Sequence, residues 1–375
     1  MADPVKKNIA VLPGDGIGPE VITQAVKVLD AISELYKHEF TYSYADVGAI
    51  AIDKTGNPLP PETLNLCLES DAILFGAIGD PKYDNDPSAP VRPEQGLLAL
   101  RKGLGLFANI RPVATYSKLL HLSPLKKEKV EGVDMVIFRE LTGGIYFGDK
   151  GKNEEEGSAF DTCIYYDHEI ERITRLAFEQ AGNRRKKVTL VDKANVLESS
   201  RLWRATVNKI AKDYPDIELD YLFVDNAAMQ LIQWPKQFDV ILTSNMFGDI
   251  LSDEASVIPG SMGLLPSASI GKHTSLFEPI HGSYPQAAGE DIANPMAAIL
   301  SAGMMLESFG LIKEARLIHK AVKYTLEKGI GTPELSPSIA YGCSQIGDMI
   351  ASLVSQGESF DLNEGKINER ISTII

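Results

Sequence analysis

The chain has 375 residues, and its 37 basic and 51 acidic side chains give a formal net charge of −14. This acidic balance argues against binding to a nucleic-acid backbone or to an anionic membrane surface. The longest apolar run, 296–306, is too short to span a bilayer. Three scattered cysteines without a CxxC motif indicate free thiols in a reducing compartment. We therefore expect a cytoplasmic protein of about two or three domains with no membrane or nucleic-acid partner.

Short apolar runs alternate with helical patterns along the chain. The apolar runs predict strands at 8–12, 71–75, 135–139, 187–191, 219–224 and 240–243. Apolar residues at helical spacing predict helices at 19–36, 169–181, 198–213, 226–234, 246–257, 295–309 and 313–328. Such alternation is typical of α/β proteins, in which helices are layered on a sheet. The charged segment 150–157, flanked by glycines, predicts an exposed hairpin tip.

The first predicted strand is followed by a glycine-rich turn at Gly14–Gly18. Its spacing is G-x-G-x-G, and no suitably placed acid follows the next strand, so the Rossmann dinucleotide fingerprint is absent. A strand-to-helix turn still exposes backbone N–H groups to an anion. Both a purely structural turn and an anion-binding turn remain open at this point.

A second motif places an acid, two leucines and a cation on one face of a predicted helix. Glu94, Leu97, Leu98 and Arg101 are spaced at i, i+3, i+4 and i+7. An ordinary amphipathic helix explains this spacing, and so does a site for a ligand with a branched apolar group and a carboxylate.

Three arginines lie at predicted element boundaries, where their planar guanidinium groups could bind carboxylates in bidentate fashion: Arg101, Arg111 and Arg139. Three cations of this kind suit a substrate with two or three carboxylates. Tyr146 follows the third arginine and could donate a proton. Lys193 follows a buried strand; if it lay partly buried beside other cations, its pKa would fall and it could act as a base. Ordinary packing explains either residue taken alone.

Acidic residues supply a candidate metal site. Asp249 and Asp253 are one helical turn apart and would repel each other, a conflict that a divalent cation would remove. Asp225 begins another predicted helix. Carboxylate ligands suit Mg²⁺ or Mn²⁺ rather than zinc. A solvated helix face is the alternative explanation.

The segment 278–294 is rich in Gly, Pro and Ser and has little periodicity, which predicts a long loop. Long loops between buried elements are often functional. Its His281, Gly282 and Ser283 could approach phosphates, although a single loop histidine more often has no such role.

Together these motifs resemble the isocitrate/isopropylmalate dehydrogenase family of decarboxylating dehydrogenases. The matching segments are LPGDGIGPEV, RPEQGLLALRK, FANIRP, RELTGGIYFG, VDKANVLE, FGDILSDEAS, LPSASIG and HGSYPQAAGEDIANP. They run in order from residue 12 to residue 295. The resemblance covers essentially the whole chain and is specific as a set.

The resemblance implies a two-domain α/β fold with a mixed, mainly parallel sheet, distinct from a Rossmann fold. A large cofactor-binding domain would comprise residues 1–106 and 260–375. A small domain, 107–259, would carry the metal and substrate residues and form a homodimer with shared active sites. Residues 141–166 would be an intersubunit arm, and the helices at 226–234 and 246–257 would pack into a four-helix interface.

The resemblance also implies roles for individual residues. The substrate carboxylates would be held by Arg101, Arg111 and Arg139. The metal would be held by Asp225, Asp249 and Asp253, with one aspartate from the partner and Asp225 also near the substrate. The acid and the base would be Tyr146 and Lys193, with Lys193 also reaching in from the partner. The rest of the substrate pocket would comprise Glu94, Leu97, Leu98, Asn195 and Val196. The cofactor would contact Ile17, Glu94, His281, Gly282, Ser283, Gln286 and Asn294.

The implied reaction is NAD-dependent oxidative decarboxylation of 3-isopropylmalate to 4-methyl-2-oxopentanoate, a step of leucine biosynthesis, with Mg²⁺ or Mn²⁺. Leu97 and Leu98 disfavour a tri-acid substrate, because a third carboxylate would be buried against them. A D-malate or tartrate dehydrogenase of the same family is the nearer alternative. A non-catalytic subunit is disfavoured by the intact catalytic positions. Gln286 stands where many members have an Asp that repels NADP, so NAD is expected but NADP stays open.

Overall fold

The structure, a computed structural model, describes residues 4–85, 89–336 and 339–360. The strands are β1 Lys6–Gly14, β2 Glu39–Tyr44, β3 Ala72–Ala77, β4 Ala108–Ala114, β5 Asp134–Glu140, β6 Lys150–Asn153, β7 Ser158–Asp161, β8 Lys187–Asp192, β9 Glu218–Phe223, β10 Val240–Thr243, β11 Pro266–Ile270, β12 Ser275–Pro279, β13 Ile330–Gly331 and β14 Ile339–Ala340. The helices are α1 Gly18–Tyr36, α2 Ala49–Thr55, α3 Pro61–Glu69, α4 Pro81–Asp84, α5 Pro93–Leu104, α6 Lys127–Val130, α7 Asp167–Gly182, α8 Glu198–Ala211, α9 Val224–Gln233, α10 Asn245–Ser256, α11 Met296–Ser308, α12 Ile312–Glu327 and α13 Cys343–Ser355.

Ten of these strands form one sheet in the order β2-β1-β3-β12-β11-β4-β5-β10-β8-β9. Most neighbouring pairs are parallel, but β11 is antiparallel to β12 and to β4, and β4 is antiparallel to β5. The predicted α/β fold with a mixed, mainly parallel sheet is therefore confirmed. The antiparallel strands occupy the centre of the sheet.

The strand order has a simple relation to the chain. Strands from 1–106 and 260–375 occupy one end of the sheet, and strands from 107–259 occupy the other. The two groups meet where β11 pairs with β4. This arrangement is what a division into domains at those positions requires, although the division itself stays a prediction.

Helices cover the sheet because their apolar faces need burial. Helix α1 begins at a glycine–proline pair, where a missing N–H costs nothing, and packs against α11 and α13. Helix α11 is buried on nearly every side, as its uniformly apolar sequence predicts, and contacts β11 and β12. These contacts place α1 and α11 together on one face of the first half of the sheet, with a core between them and the strands.

Two charged segments take definite form. Residues 150–157, predicted as an exposed hairpin tip, form the first strand and the tip of a hairpin in which β6 pairs antiparallel with β7. The basic run after α7 contacts acids at the start of β5 and before β10: Arg184 Nε lies 2.7 Å from Asp239 Oδ1, and Arg184 Nη2 lies 2.8 Å from Asp134 Oδ1. This run is therefore a structural ion-pair cluster.

The prediction of a continuous loop over 278–294 needs one correction. Glu278 and Pro279 are the last residues of β12, and both are buried. The strand was missed because only Leu276 and Phe277 are apolar in it, a run too short to mark a strand in the sequence. No helix in the described ranges is long and apolar enough to cross a membrane.

Candidate active site

The centre of the candidate site is Arg139, the penultimate residue of β5. Its Nη1 contacts Asp249 on α10, and the hydroxyl of Tyr146 donates to the other Asp249 oxygen at 2.9 Å. Arg139 Nε and Nη2 both donate to Asn245 Oδ1, at 3.2 and 3.0 Å. The pairing of β5 with β10 explains this meeting, because Arg139 lies beside Thr243, two residues before α10 begins.

The positive charges of the three predicted arginines act on one another. Burial lowers the pKa of Arg139 to about 10; Asp249 opposes that effect, whereas the charges of Arg111 and Arg101 add to it. The guanidinium is still protonated at neutral pH. A concentration of positive charge that depresses an arginine pKa is a site that favours an anion.

Arg111, on β4, reaches the same helix from the neighbouring strand. Its Nη1 donates to Asp253 Oδ1 and to Ser252 Oγ, both at 2.8 Å. Its Nε donates to Asn109 Oδ1 at 2.8 Å. Helix α10 therefore presents Asp249 to one arginine and Asp253 to the other.

Arg101 lies on α5 and is fixed by Glu278 at the end of β12, with Nη2 3.1 Å from Oε1. Its Nε is buried and has no hydrogen-bond partner among the described residues. An unpartnered guanidinium N–H is costly unless something binds it, which fits the expectation of a carboxylate ligand. On the same helix, Leu97 is partly exposed and Leu98 is half exposed.

Lys193 lies in a second group. Its Nζ is 2.6 Å from Asp225 Oδ1 and lies over the ring of Phe223. The parallel register of β8 and β9 creates this pair, because Asp192 is opposite Phe223 where the two strands end. Lys193 follows Asp192 directly, and Asp225 comes two residues after Phe223. Lys193 is thus beside a carboxylate, not beside the cations that the sequence argument assumed. That carboxylate's pKa is lowered by the lysine.

Within the described part of one chain, the three predicted metal ligands do not converge. Asp249 and Asp253 lie on one face of α10 and contact the arginines, whereas Asp225 contacts Lys193. The only group of three acidic, cysteine or histidine ligand atoms close enough to share an ion in the described residues lies elsewhere, at Glu20, Asp291 and Cys343. Asp249 and Asp253 still offer paired oxygen donors, which fit a hard divalent cation.

Asn195 and Val196 follow Lys193 and are exposed, Val196 by 62%. An exposed valine beside the lysine group suits the apolar part of a ligand. Nothing within the described chain covers it.

On the predicted cofactor side, the glycine turn packs against the 281–283 loop. Ile17 N donates to the carbonyl of Ser283 at 2.8 Å. A Cβ on Gly16 would overlap that carbonyl, so the turn needs glycine there. A Cβ on Gly79 would lie 3.0 Å from Glu94 Oε1 and 3.4 Å from Ser283 Oγ. Ile17, Glu94 and Ser283 therefore line one continuous surface.

His281 and Asn294 lie near the two ends of the loop between β12 and α11, with Asn294 buried and His281 partly buried. Burial lowers the pKa of His281, so its ring is neutral at pH 7, and its Nε2 is buried without a hydrogen-bond partner in the described chain. Asn294 Nδ2 donates to Glu334 Oε1 at 2.8 Å. Gly282 and Gln286 are exposed beside them. An orphaned imidazole nitrogen near polar groups fits the base or ribose of a nucleotide.

Four residues of the site were not predicted from the sequence: Asn109, Asn245, Glu278 and Glu334. A fifth, Asp15, is buried and accepts from Ala49 N, Gly79 N and Ile50 N, so it joins three loops. Burial raises the pKa of this carboxyl although the backbone N–H groups oppose the effect. Its position inside the glycine motif was the available signal; the other four become visible only once strands pair.

Comparison with known proteins agrees with this geometry. A family profile described as isocitrate/isopropylmalate dehydrogenase matches residues 8–350. The chain belongs to the isocitrate/isopropylmalate dehydrogenase family. It is accordingly an enzyme, a dehydrogenase whose family is consistent with a nucleotide cofactor and a metal.

Individual relatives support the family assignment. A 3-isopropylmalate dehydrogenase of Bacteroides fragilis is 56% identical over 92% of this chain and 98% of its own length. One from Geobacillus kaustophilus is 59% identical over 88% of this chain and 90% of its own. The crystal structure of an isocitrate dehydrogenase from Methylococcus capsulatus matches with a TM-score of 0.82 at 36% identity, covering 93% of this chain and 100% of that one.

Proposed function

We propose that the protein catalyses the oxidative decarboxylation of 3-isopropylmalate to 4-methyl-2-oxopentanoate with reduction of NAD, a step of leucine biosynthesis. The observation that carries this proposal is the grouping along α10, where Arg139 and Tyr146 contact Asp249 and Arg111 contacts Asp253, with Arg101 adding its charge. Relatives that bear the name 3-isopropylmalate dehydrogenase at more than half identity support the substrate.

Helix α5 argues for a branched alkyl group on the substrate. Leu97 and Leu98 lie one turn before Arg101, so a ligand carboxylate on that arginine has apolar side chains beside it. A third carboxylate in this position would lose water without gaining a cation, which costs several kcal/mol. Isocitrate-type substrates are thereby disfavoured, whereas an isopropyl group gains burial.

The chain's own residues supply the binding and proton-transfer steps. Arg101, Arg111 and Arg139 orient the two carboxylates of the substrate. Lys193, as the free amine released from its pairing with Asp225, would accept the proton of the C2 hydroxyl as that carbon is oxidised. After CO₂ has left C3, Tyr146 donates a proton to that carbon. Burial and the bond to Asp249 raise the pKa of Tyr146, so its hydroxyl keeps its proton until this step.

A divalent cation and a dinucleotide complete the proposal. Asp249 and Asp253, with Asp225 of a second subunit, would hold Mg²⁺ or Mn²⁺, which would supply a Lewis acid for the substrate hydroxyl and for the enolate left when CO₂ is lost. Ile17, Glu94, His281, Ser283 and Asn294 would hold NAD, which would supply the hydride acceptor. Gln286 would lie near the ribose; being neutral, it permits NAD without repelling NADP.

We infer that the enzyme is a homodimer with shared active sites. Helices α9 and α10, with the residue that follows α10, leave four apolar side chains about half exposed: Met229, Ile232, Ile250 and Val257. Large exposed apolar side chains on neighbouring helices suit an interaction site. Pairing of these helices with their copies would bring Lys193 and Asp225 of one subunit toward Asp249 of the other.

The compartment follows from the thiols. Cys67, Cys163 and Cys343 are all free. Free cysteines are what a reducing compartment favours, and we propose the cytoplasm.

The reaction is tested by absorbance at 340 nm with purified protein, Mg²⁺, and either NAD or NADP. The substrates are 3-isopropylmalate, D-malate and isocitrate, each with and without EDTA. We expect EDTA-sensitive NADH formation that is fastest with 3-isopropylmalate. Faster turnover of D-malate would replace the proposal with a relaxed decarboxylating dehydrogenase, and a preference for NADP would overturn the cofactor assignment.

A further inference from the structure

The two arginines nearest the proposed metal ligands are held by buried amides. Asn109 and Asn245 are each 1% exposed. Asn109 Oδ1 accepts from Arg111 Nε at 2.8 Å, and Asn245 Oδ1 accepts from Arg139 at 3.2 and 3.0 Å. In the sheet, Asn109 lies directly opposite Arg139 in the β4–β5 register.

Each asparagine is fixed in turn by donating its amide group. Asn109 Nδ2 donates to Ser267 Oγ at 2.9 Å and to the carbonyl of Ala268 at 3.2 Å, both on β11. Asn245 Nδ2 donates to the carbonyl of Gly143 at 3.2 Å, in the turn that leads to Tyr146. A carboxylate could not make these donations, so the amides are matched to their surroundings.

The third arginine is held differently. Arg101 contacts the carboxylate of Glu278, whose side chain is 10% exposed. That contact offsets the charge of Arg101, whereas an amide leaves the charge of an arginine in place. Asp249 and Asp253 also contact the other two arginines, but as proposed metal ligands they would turn toward the cation. The amides are then the fixed partners of Arg111 and Arg139.

We infer that Asn109 and Asn245 are positioning residues that orient Arg111 and Arg139 without neutralising them. Because the amides are neutral, they add no negative charge to Arg111 and Arg139, so both guanidinium charges stay available to a substrate with two carboxylates once Asp249 and Asp253 hold the cation. This inference rests on the proposed function, because it takes the dicarboxylate as the ligand. It adds a requirement that the amides be neutral.

The test compares two variants at one position. Asn245→Asp keeps the oxygen that accepts from Arg139 but adds a charge, and Asn245→Ala removes the oxygen without adding one. Both lose the bond to Gly143. The aspartate keeps the acceptor for Arg139, so a KM that is higher in the aspartate variant than in the alanine variant must come from the added charge. Asn57→Asp is the matched control, because Asn57 is exposed and its Oδ1 accepts from Leu59 N at 3.0 Å in a loop. The measurements are KM for 3-isopropylmalate, KM for NAD, kcat and the melting temperature.

We expect Asn245→Asp to raise KM for 3-isopropylmalate at least tenfold, and by more than Asn245→Ala does. KM for NAD should change less than twofold in both variants, and Asn57→Asp should behave as the wild type. Equal KM for the aspartate and alanine variants would overturn the requirement for neutrality. If the melting temperature and kcat both fall while KM stays unchanged, Asn245 has only a structural role.

Asn109→Asp supplies an independent measurement if the first variant fails to fold, and the same KM increase is expected. An unchanged KM in a folded Asn109→Asp enzyme would contradict the inference for that position. Failure of the proposed function is distinguishable, since wild-type protein would then not reduce NAD with 3-isopropylmalate at all.

Discussion

At the residue scale, Tyr146 combines exposure with a single fixed hydrogen bond. Its ring is 42% exposed and lies near the Arg139 guanidinium, and its hydroxyl donates to Asp249. Such a phenol contributes little to stability because water can replace most of its contacts. Its placement beside an arginine and an aspartate is therefore better explained by proton transfer than by packing.

Tyr146→Phe should lower kcat by about 10²–10⁴, the usual contribution of a general acid. The melting temperature should change little, since only one exposed hydroxyl is lost. Steady-state kinetics with 3-isopropylmalate and NAD measure the effect. Tyr166→Phe, at a tyrosine that is 53% exposed, is the control and should keep wild-type kcat. An unchanged kcat in Tyr146→Phe would remove the tyrosine from the chemistry.

Leu97→Arg should reverse the preference for an apolar substrate branch. The new cation would lie one turn from Arg101. There it would take apolar contact away from an isopropyl group and would pair with a third carboxylate. We expect kcat/KM to fall for 3-isopropylmalate and to rise for isocitrate. Leu68→Arg, at a leucine that is 51% exposed on α3, should leave both values unchanged. Identical selectivity in Leu97→Arg and wild type would mean that α5 does not line the pocket.

At the element scale, the packing of α11 against α12 buries a histidine. His319 has a side chain 12% exposed, and its nearest acid is Glu307, with Oε1 3.9 Å from Nε2. Burial lowers the pKa of His319 from 6.5 to about 4. The histidine is neutral in the folded protein, whereas the unfolded chain binds a proton as the pH falls below about 6.5. Its contribution to stability is thus complete above that pH and is lost toward pH 4.

His319→Gln should flatten this acid sensitivity. Between pH 7.5 and pH 5, we expect the wild-type free energy of unfolding to fall by about 1–2 kcal/mol more than that of the variant. Urea titrations at the two pH values, at one protein concentration, measure the difference. His121→Gln, at an exposed histidine, should follow the wild type. Parallel pH profiles for wild type and His319→Gln would show that the ring is not buried as described.

Most of the parallel strands and long amphipathic helices were predicted, because their apolar residues follow a regular period, but strand β2 and helices α3 and α13 were not. Strand β10 and helix α1 agree with their predicted bounds to within a residue. Strands β4, β11 and β12 were missed. They lie at the antiparallel centre of the sheet, and their sequences contain Pro, Ser, Asn, Arg or Glu at positions that the site uses. Functional side chains there interrupt the apolar pattern on which the prediction depends.

The three arginines and the aspartates of α9 and α10 were singled out by their positions at element boundaries, whereas Asp15, Glu278 and Glu334 were not. The pairings of the charged residues were not predictable. That Arg139 contacts Asp249 while Lys193 contacts Asp225 depends on which strands are neighbours, and strand order is not written in local periodicity. Asn109 and Asn245 were missed for the same reason: a buried amide is recognised by its partners.

At the scale of the whole molecule, the separation of the lysine group from the arginine group gives a test of shared sites. Lys193→Met and Tyr146→Phe should each inactivate the enzyme. If each site is built from two subunits, a mixed dimer has one site with both Lys193 and Tyr146 and one site with neither. Mixing the two variants in equal amounts, with unfolding and refolding, should therefore restore about one quarter of wild-type activity. No recovery, with mixed dimers demonstrated by tagged subunits, would mean that each site lies within one chain.

The continuous sheet also constrains how the chain is made. Strand β3 pairs with β12, about 200 residues further along the chain, and α1 packs against α13, which is later still. While the ribosome is producing the middle of the protein, the N-terminal strands have one open edge and α1 has an uncovered apolar face. Strands β5, β8, β9 and β10 can pair with one another before the C-terminal part of the chain is synthesised, since all four come from 134–243. The first segment synthesised is therefore among the last to be completed, and a chain released early would expose the sheet edge and helix face most prone to aggregation.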